Sequence, residues 1–178
     1  MDDDTRTMFF TLIWYSGEVD GNKIVEVLSR DHNENVKKLA IIGQTIVAVV
    51  KGETSTSELS KISEMFDKFP STDYWMKFVE VSGQVLLTRA LEMVGHKETK
   101  KELTKYGLEL LSKVTSSGFA LNKTTIQLLK MISDREFSAQ AILLVRQNGV
   151  LKKPDLGLRA SIGRRQYGTG GRNRTAVG

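Results

Sequence analysis

Apolar positions along this chain follow two different rhythms, and the change falls near Gly52. From Met8 to Tyr15 (MFFTLIWY) both alternating faces are apolar, as in a strand buried on two sides. Asp20-Gly21 follows, a dipeptide suited to the positive φ angles of a type I′ hairpin turn. Lys23 to Leu28 (KIVEVL) has the β-branched content of a second strand. After a polar connector from Asp31 to Asn35, the segments Val36 to Ile42 and Thr45 to Val50 flank Gly43-Gln44. Glycine in first place fits a type II′ turn. The four segments predict an antiparallel four-strand meander within residues 8–51. A helical reading competes over residues 33–51, since Val36, Leu39, Ile42, Ile46, Val47 and Val50 also recur at helical spacing and Gly52 stands where a C-cap belongs. The β-branched run and the two turn signals favour strands.

Beyond Gly52 the period becomes helical. Leu59, Ile62, Met65, Phe66 and Phe69 share one face, with an N-cap region at Thr54 to Ser57 and a stop at Pro70. A second stripe runs through Trp75, Phe78, Val79, Val85, Leu86 and Met93 to Gly95. A third helix is expected from about Lys97 to Ser116, with Leu103, Tyr106, Leu110, Leu111 and Val114 inward. Asn122 and Asp134 are placed to cap two more. The first of these turns Ile126, Leu129 and Ile132 inward. The second does so with Phe137, Ala141, Leu144 and Val145, and closes at Asn148-Gly149. Each is expected to keep one polar face. The fold class this predicts is α+β, a meander followed by a layer of about five amphipathic helices; all-α is the alternative. One globular domain is expected over 1–150, with strands in 8–51 and helices in 55–148.

From Pro154 the apolar period stops. Six glycines lie between Gly157 and Gly178, and with little apolar surface to offset ordering entropy, residues 151–178 are expected to form a disordered basic tail. Charge sharpens this division. The chain of 178 residues carries +5 overall. Residues 151–178 hold seven basic side chains against the single acid Asp155, giving +6, which leaves 19 basic and 20 acidic groups, or −1, elsewhere. Such asymmetry points to a tail that meets a polyanion.

The candidate binding residues are therefore Lys152, Lys153, Arg159, Arg164, Arg165, Tyr167, Arg172 and Arg174. Arginine's planar fork donates paired hydrogen bonds to phosphate. Tyr167 is suited to stack on an unpaired base, and arginine-rich segments often fold on RNA. RNA is favoured over DNA as the partner.

Little else carries chemistry. The absence of cysteine excludes disulfides, thiolate metal sites and cysteine nucleophiles. His32 and His96 are the only histidines. Asp31-His32-Asn33-Glu34-Asn35 opens like a calcium loop, but Val36 stands where the turn glycine belongs and Ile42 where the bidentate glutamate belongs. No phosphate-binding loop or nucleophile elbow occurs. The aromatics Phe9, Phe10, Trp14 and Tyr15 alternate over both strand faces, which favours core packing over base stacking. Lys97, Lys101 and Lys105 share a face interleaved with Glu98, Glu102 and Glu109, a pattern that favours a solvated, ion-paired surface. No enzyme, cofactor, metal or small-molecule substrate is expected. The acidic start, Met1 to Asp4, is unlike a signal peptide, and no apolar run is long enough to span a bilayer. An intracellular protein, cytoplasmic or nuclear, is expected.

The functional expectation is a non-enzymatic, nucleic-acid-associated structural protein of the viral coat, nucleocapsid or matrix kind. Its body would self-associate into a homo-oligomer and its tail would bind RNA or another polyanion. The alternative is a protein–protein adaptor whose tail meets an acidic partner or touches a membrane surface peripherally.

Overall fold

The computed structural model describes residue 30 and residues 34–152 of the 178. Six helices make up 78% of this part, and it contains no strand. They are α1 (Glu34–Val50), α2 (Leu59–Phe66), α3 (Asp73–Glu92), α4 (Lys97–Ser116), α5 (Lys123–Lys130) and α6 (Arg135–Lys152), with a 3-10 turn at Thr56–Glu58 before α2. By its contacts the chain divides into two compact units, Met1–Asn148 and Gly149–Gly178. The packing described below belongs to the first.

The expected four-strand meander is corrected. Its second hairpin is a single helix, α1, so the described residues form no four-strand meander and fit the all-α alternative. The two earlier segments, 8–15 and 23–28, lie outside the described residues. Burial along α1 explains the difference. Leu39, Ile42, Ile46 and Val49 are all buried, at spacings of three, four and three, which is one helical face. A strand would have buried every second residue. Gly43-Gln44, read as a turn, lies inside the helix with Gly43 facing the core and Gln44 facing out. Thr45 satisfies its hydroxyl locally by donating to the Ile41 carbonyl at 2.9 Å. The β-branched residues lower helix propensity only by tenths of a kcal/mol each, and burial of the apolar face outweighs that.

The end of α1 is built as the helical alternative requires. Gly52 has φ +76. Its N–H donates to the Val49 carbonyl at 3.0 Å and that of Glu53 to the Ala48 carbonyl at 2.8 Å, the paired bonds of a Schellman motif. The end of α4 repeats this at Gly118, φ +86, with Gly118 N–H to Thr115 and Phe119 N–H to Val114. Phe119 folds back onto the core beside it, the hydrophobic contact that accompanies such caps.

Helix α3 is the axis of the body. Trp75, Met76, Phe78, Val79, Leu86, Leu87 and Ala90 are buried at positions that run round most of its circumference, as expected of a helix covered on several sides. Its most extensive partner is α4; α1 and α5 also pack on it, and α2 packs on α1 and α4. The α2–α3 corner is held by rings. Phe69 lies 4.7 Å from Trp75 and 6.4 Å from Phe78, and Phe66 lies 5.6 Å from Phe78, within the range where aromatic pairs add to simple burial. On α4, Leu103, Leu108, Leu110, Leu111 and Val114 complete the core.

Candidate functional site

Of the eight predicted polyanion-binding residues, only Lys152 falls in the described part. It is the last residue of α6 and is exposed. Lys153, Arg159, Arg164, Arg165, Tyr167, Arg172 and Arg174 lie outside the described residues, as do His32 and the aromatics Phe9, Phe10, Trp14 and Tyr15.

A buried polar node is centred on Glu80 of α3, which is only 2% exposed. Its Oε2 accepts from the backbone N–H of Asn122 at 2.7 Å and from the Thr125 hydroxyl at 2.6 Å. Gln84 Nε2 donates to Thr125 Oγ1 at 2.6 Å and to Asn122 Oδ1 at 3.2 Å. Asn122 Oδ1 also accepts from Thr125 N at 3.0 Å, capping α5. The hydroxyl of Thr125 has one proton, which goes to the carboxylate, so Gln84 finds a lone pair there. The carboxylate stands at the N-terminus of α5, where negative charge is favoured. Nearby, Asn148 of α6 accepts from Leu121 N at 2.5 Å. Apart from the cap itself, these bonds fasten the start of α5 and the α4–α5 connection to α3 or α6, so the node positions helices. Its sequence signal was a lone acid inside an apolar run, Phe78-Val79-Glu80-Val81, which sequence reasoning passed over.

A groove of about 610 Å³ opens between the end of α3, the start of α4 and the α5–α6 connection. Leu87, Ala90, Met93, Ile132 and Phe137 contribute apolar lining; Lys97, Lys100 and Lys101 stand against Glu98, Asp134 and Glu136. Lys101 Nζ lies 3.1 Å from Glu136 Oε1. The hydrogen bond to Glu136, its charge and that of Glu98 raise the Lys101 ammonium above the ordinary lysine pKa. The charges of the groove balance, so it does not concentrate a cationic field. The lysine row of α4 also separates: Lys101 pairs with α6, Lys105 lies 5.1 Å from the Tyr106 ring centre, and Lys113 pairs with Asp67 of the α2–α3 connection. A second groove, about 340 Å³, has Arg89 as its single basic residue, with Val50, Val81 and Val85 among its lining.

No group of three or more metal-ligating His, Cys, Asp or Glu side chains occurs among the described residues. His96 is exposed, in a left-handed conformation (φ 48) just before α4. No helix among the described residues is long and apolar enough to cross a membrane.

The outer face of α6 departs from expectation. In place of a wholly polar face it presents Ile142 and Leu143, which are 52% and 53% exposed. Ala139 and Arg146 lie beside them, also exposed. Opposite, Phe137, Ala141, Leu144 and Asn148 are buried. The helix is thus apolar on two sides. The signal in the sequence was the unbroken run Ala141-Ile142-Leu143-Leu144-Val145, more apolar surface than one inward stripe uses.

Compared with known proteins, the chain matches no family model, no curated protein and no solved structure at a significant level.

Proposed function

We propose that the chain is a non-enzymatic, nucleic-acid-associated structural protein of the coat, nucleocapsid or matrix kind, in which a self-associating helical body carries a basic C-terminal segment that binds RNA or a similar polyanion. The observation that carries this reading is the division of charge, +6 in residues 151–178 against −1 in the rest. Four lysines of the body already face a carboxylate, which supports it in part: Lys37 with Glu34, Lys61 with Glu58, Lys101 with Glu136 and Lys113 with Asp67. Positive charge already matched by a neighbouring carboxylate gains little from a phosphate, whereas the arginines after Arg159 have one acid, Asp155, within their own segment. In this arrangement the phosphate contacts supply affinity by releasing counterions.

The test is binding of a labelled single-stranded RNA to nucleic-acid-free, full-length protein across a salt series. The comparison is a variant with Arg164, Arg165, Arg172 and Arg174 all changed to Gln. The reading expects affinity to fall with salt at a log–log slope of about −0.7 per phosphate contact, and the variant to lose most of both affinity and slope. Absence of binding by the full-length protein at low salt would overturn it, and an acidic protein partner would take the place of RNA.

A further inference from the structure

The outward face of α6 carries a short stripe that complements itself, in size and charge, under a two-fold rotation. Glu136, Ala139, Leu143 and Arg146 are exposed and follow one another at spacings of three, four and three. This is the seam along which two helices interlock. Ile142 flanks the seam and is half exposed. An antiparallel copy of the same helix, related by a two-fold axis at the level of residue 141, meets this seam in register. Ala139 then faces Leu143 of the second copy, small against large. Glu136 faces Arg146 of the second copy, and the arrangement occurs twice by symmetry. The pairing is isologous, so it closes on itself, and it sets the two helix dipoles head to tail.

The charges fit this register. Glu136, whose Oε1 lies 3.1 Å from Lys101 Nζ, stays exposed, and Arg146 makes no ion pair with any described residue. We propose that this face of α6 is a homodimer contact, formed by antiparallel α6–α6 packing with Leu143 and Ile142 at its centre and reciprocal Glu136–Arg146 pairs at its ends. The inference rests on the reading of the body as self-associating and names the surface that does it. Residues 136–146 span only about 15 Å of helix at 1.5 Å per residue. The contact therefore falls short of the 1,200 Å² or so of a stable standard interface and forms a weak dimer. Weak contacts suffice where a shared polymer holds the copies at high effective concentration.

Sedimentation velocity on full-length, nucleic-acid-free protein over a concentration series tests this, with the folded state followed by circular dichroism. The expected result is a monomer–dimer equilibrium weakened about tenfold or more by Leu143→Glu. Glu136→Arg and Arg146→Glu should each weaken it, and the double variant, with the charges exchanged, should restore it. A protein that stays monomeric up to about 0.5 mM, a standard-sized interface's affinity being far tighter, overturns the proposal. So does a dimer indifferent to Leu143→Glu, which places self-association on another surface. If Leu143→Glu instead lowers the stability of the monomer and exposes residues 8–15 to hydrogen exchange, the chain's own N-terminal segment is the occupant and the proposal fails. RNA binding measured on the same variants separates the two readings: RNA binding without dimers defeats this inference alone, and dimers without RNA binding defeat the polyanion reading alone.

Discussion

Gly83 of α3 and Gly107 of α4 face each other so closely that a Cβ added to either would lie 3.2 to 3.3 Å from the other's carbonyl oxygen. The two longest helices of the body touch at this point, backbone to backbone, with Leu87 and Leu111 packed over the contact. A methyl group on Gly107 would stand 2.8 Å from the Leu87 side chain, which is fully buried. Alanine elsewhere in a helix stabilises by roughly 1 kcal/mol relative to glycine. Here overpacking reverses the sign, and Gly107→Ala is expected to destabilise by about 1–3 kcal/mol. Urea denaturation measures it. Adding Leu87→Ala to Gly107→Ala should cost less than the sum of the two single changes, because the second substitution removes the atoms the first collides with.

Glu80 gives the second expectation. Glu80→Ala leaves the Asn122 N–H without its acceptor in a buried site and the Thr125 hydroxyl with only the longer, 3.2 Å bond to Asn122 Oδ1. A loss of about 2–4 kcal/mol follows from the lost bonds and the cavity together. Glu80→Gln keeps one acceptor oxygen and should lose less. Hydrogen exchange gives a local readout: in Glu80→Ala the amides of Asn122 and Thr125 should lose protection before those of α4.

Gly118 carries the third. At φ +86 any L side chain is strained, so Gly118→Ala should cost about 1–2 kcal/mol with no change in the cooperativity of unfolding. A Gly118→Asn variant should recover part of this, since asparagine tolerates the left-handed region better.

The pair between Lys101 and Glu136 sets a pH window. The folded-state pKa of Lys101 is raised, so its contribution to stability is complete below the unfolded-state lysine value of about 10.4 and is lost as pH rises through the folded-state value. The stability difference between the native protein and Glu136→Gln should stay flat from about pH 7 to 9 and shrink above pH 10 or so. An NMR titration of the Lys101 side chain should show its pKa fall in the Glu136→Gln variant.

The helices from α2 onward were legible in the sequence because local and tertiary signals agree there. Lys97 to Ser116 was read with the bounds that α4 has, since the stripe of Leu103, Leu110, Leu111 and Val114 is bracketed by Gly95 and Gly118. Asn122 was read as the cap of α5, and its side chain does accept from Thr125 N. In α1 the signals conflict. Val36 to Val50 is rich in β-branched residues and interrupted by Gly43, which reads locally as a hairpin, and only the burial of Leu39, Ile42, Ile46 and Val49 on one face decides for helix. The candidate binding segment was legible as composition, because charge counts need no fold. The buried Glu80 node and the outer stripe of α6 were not, because each depends on which of several equivalent faces another helix covers.

The crossing of α3 and α4 also bears on how the chain folds. Each is 20 residues long, and four residues, from Met93 to His96, join them. Closing so short a loop carries a small entropic cost, and the pairing is the most extensive in the body. Contacts between neighbours in sequence form fast. The α3–α4 hairpin is thus placed to dock first, as a nucleus on which α1, α2 and α5 then condense. Truncations at Leu87 and Leu111 should slow refolding, whereas truncations on α1, such as Ile46→Val, should mainly speed unfolding. A pair of glycines that lets two backbones touch would then set the rate at which the body is made.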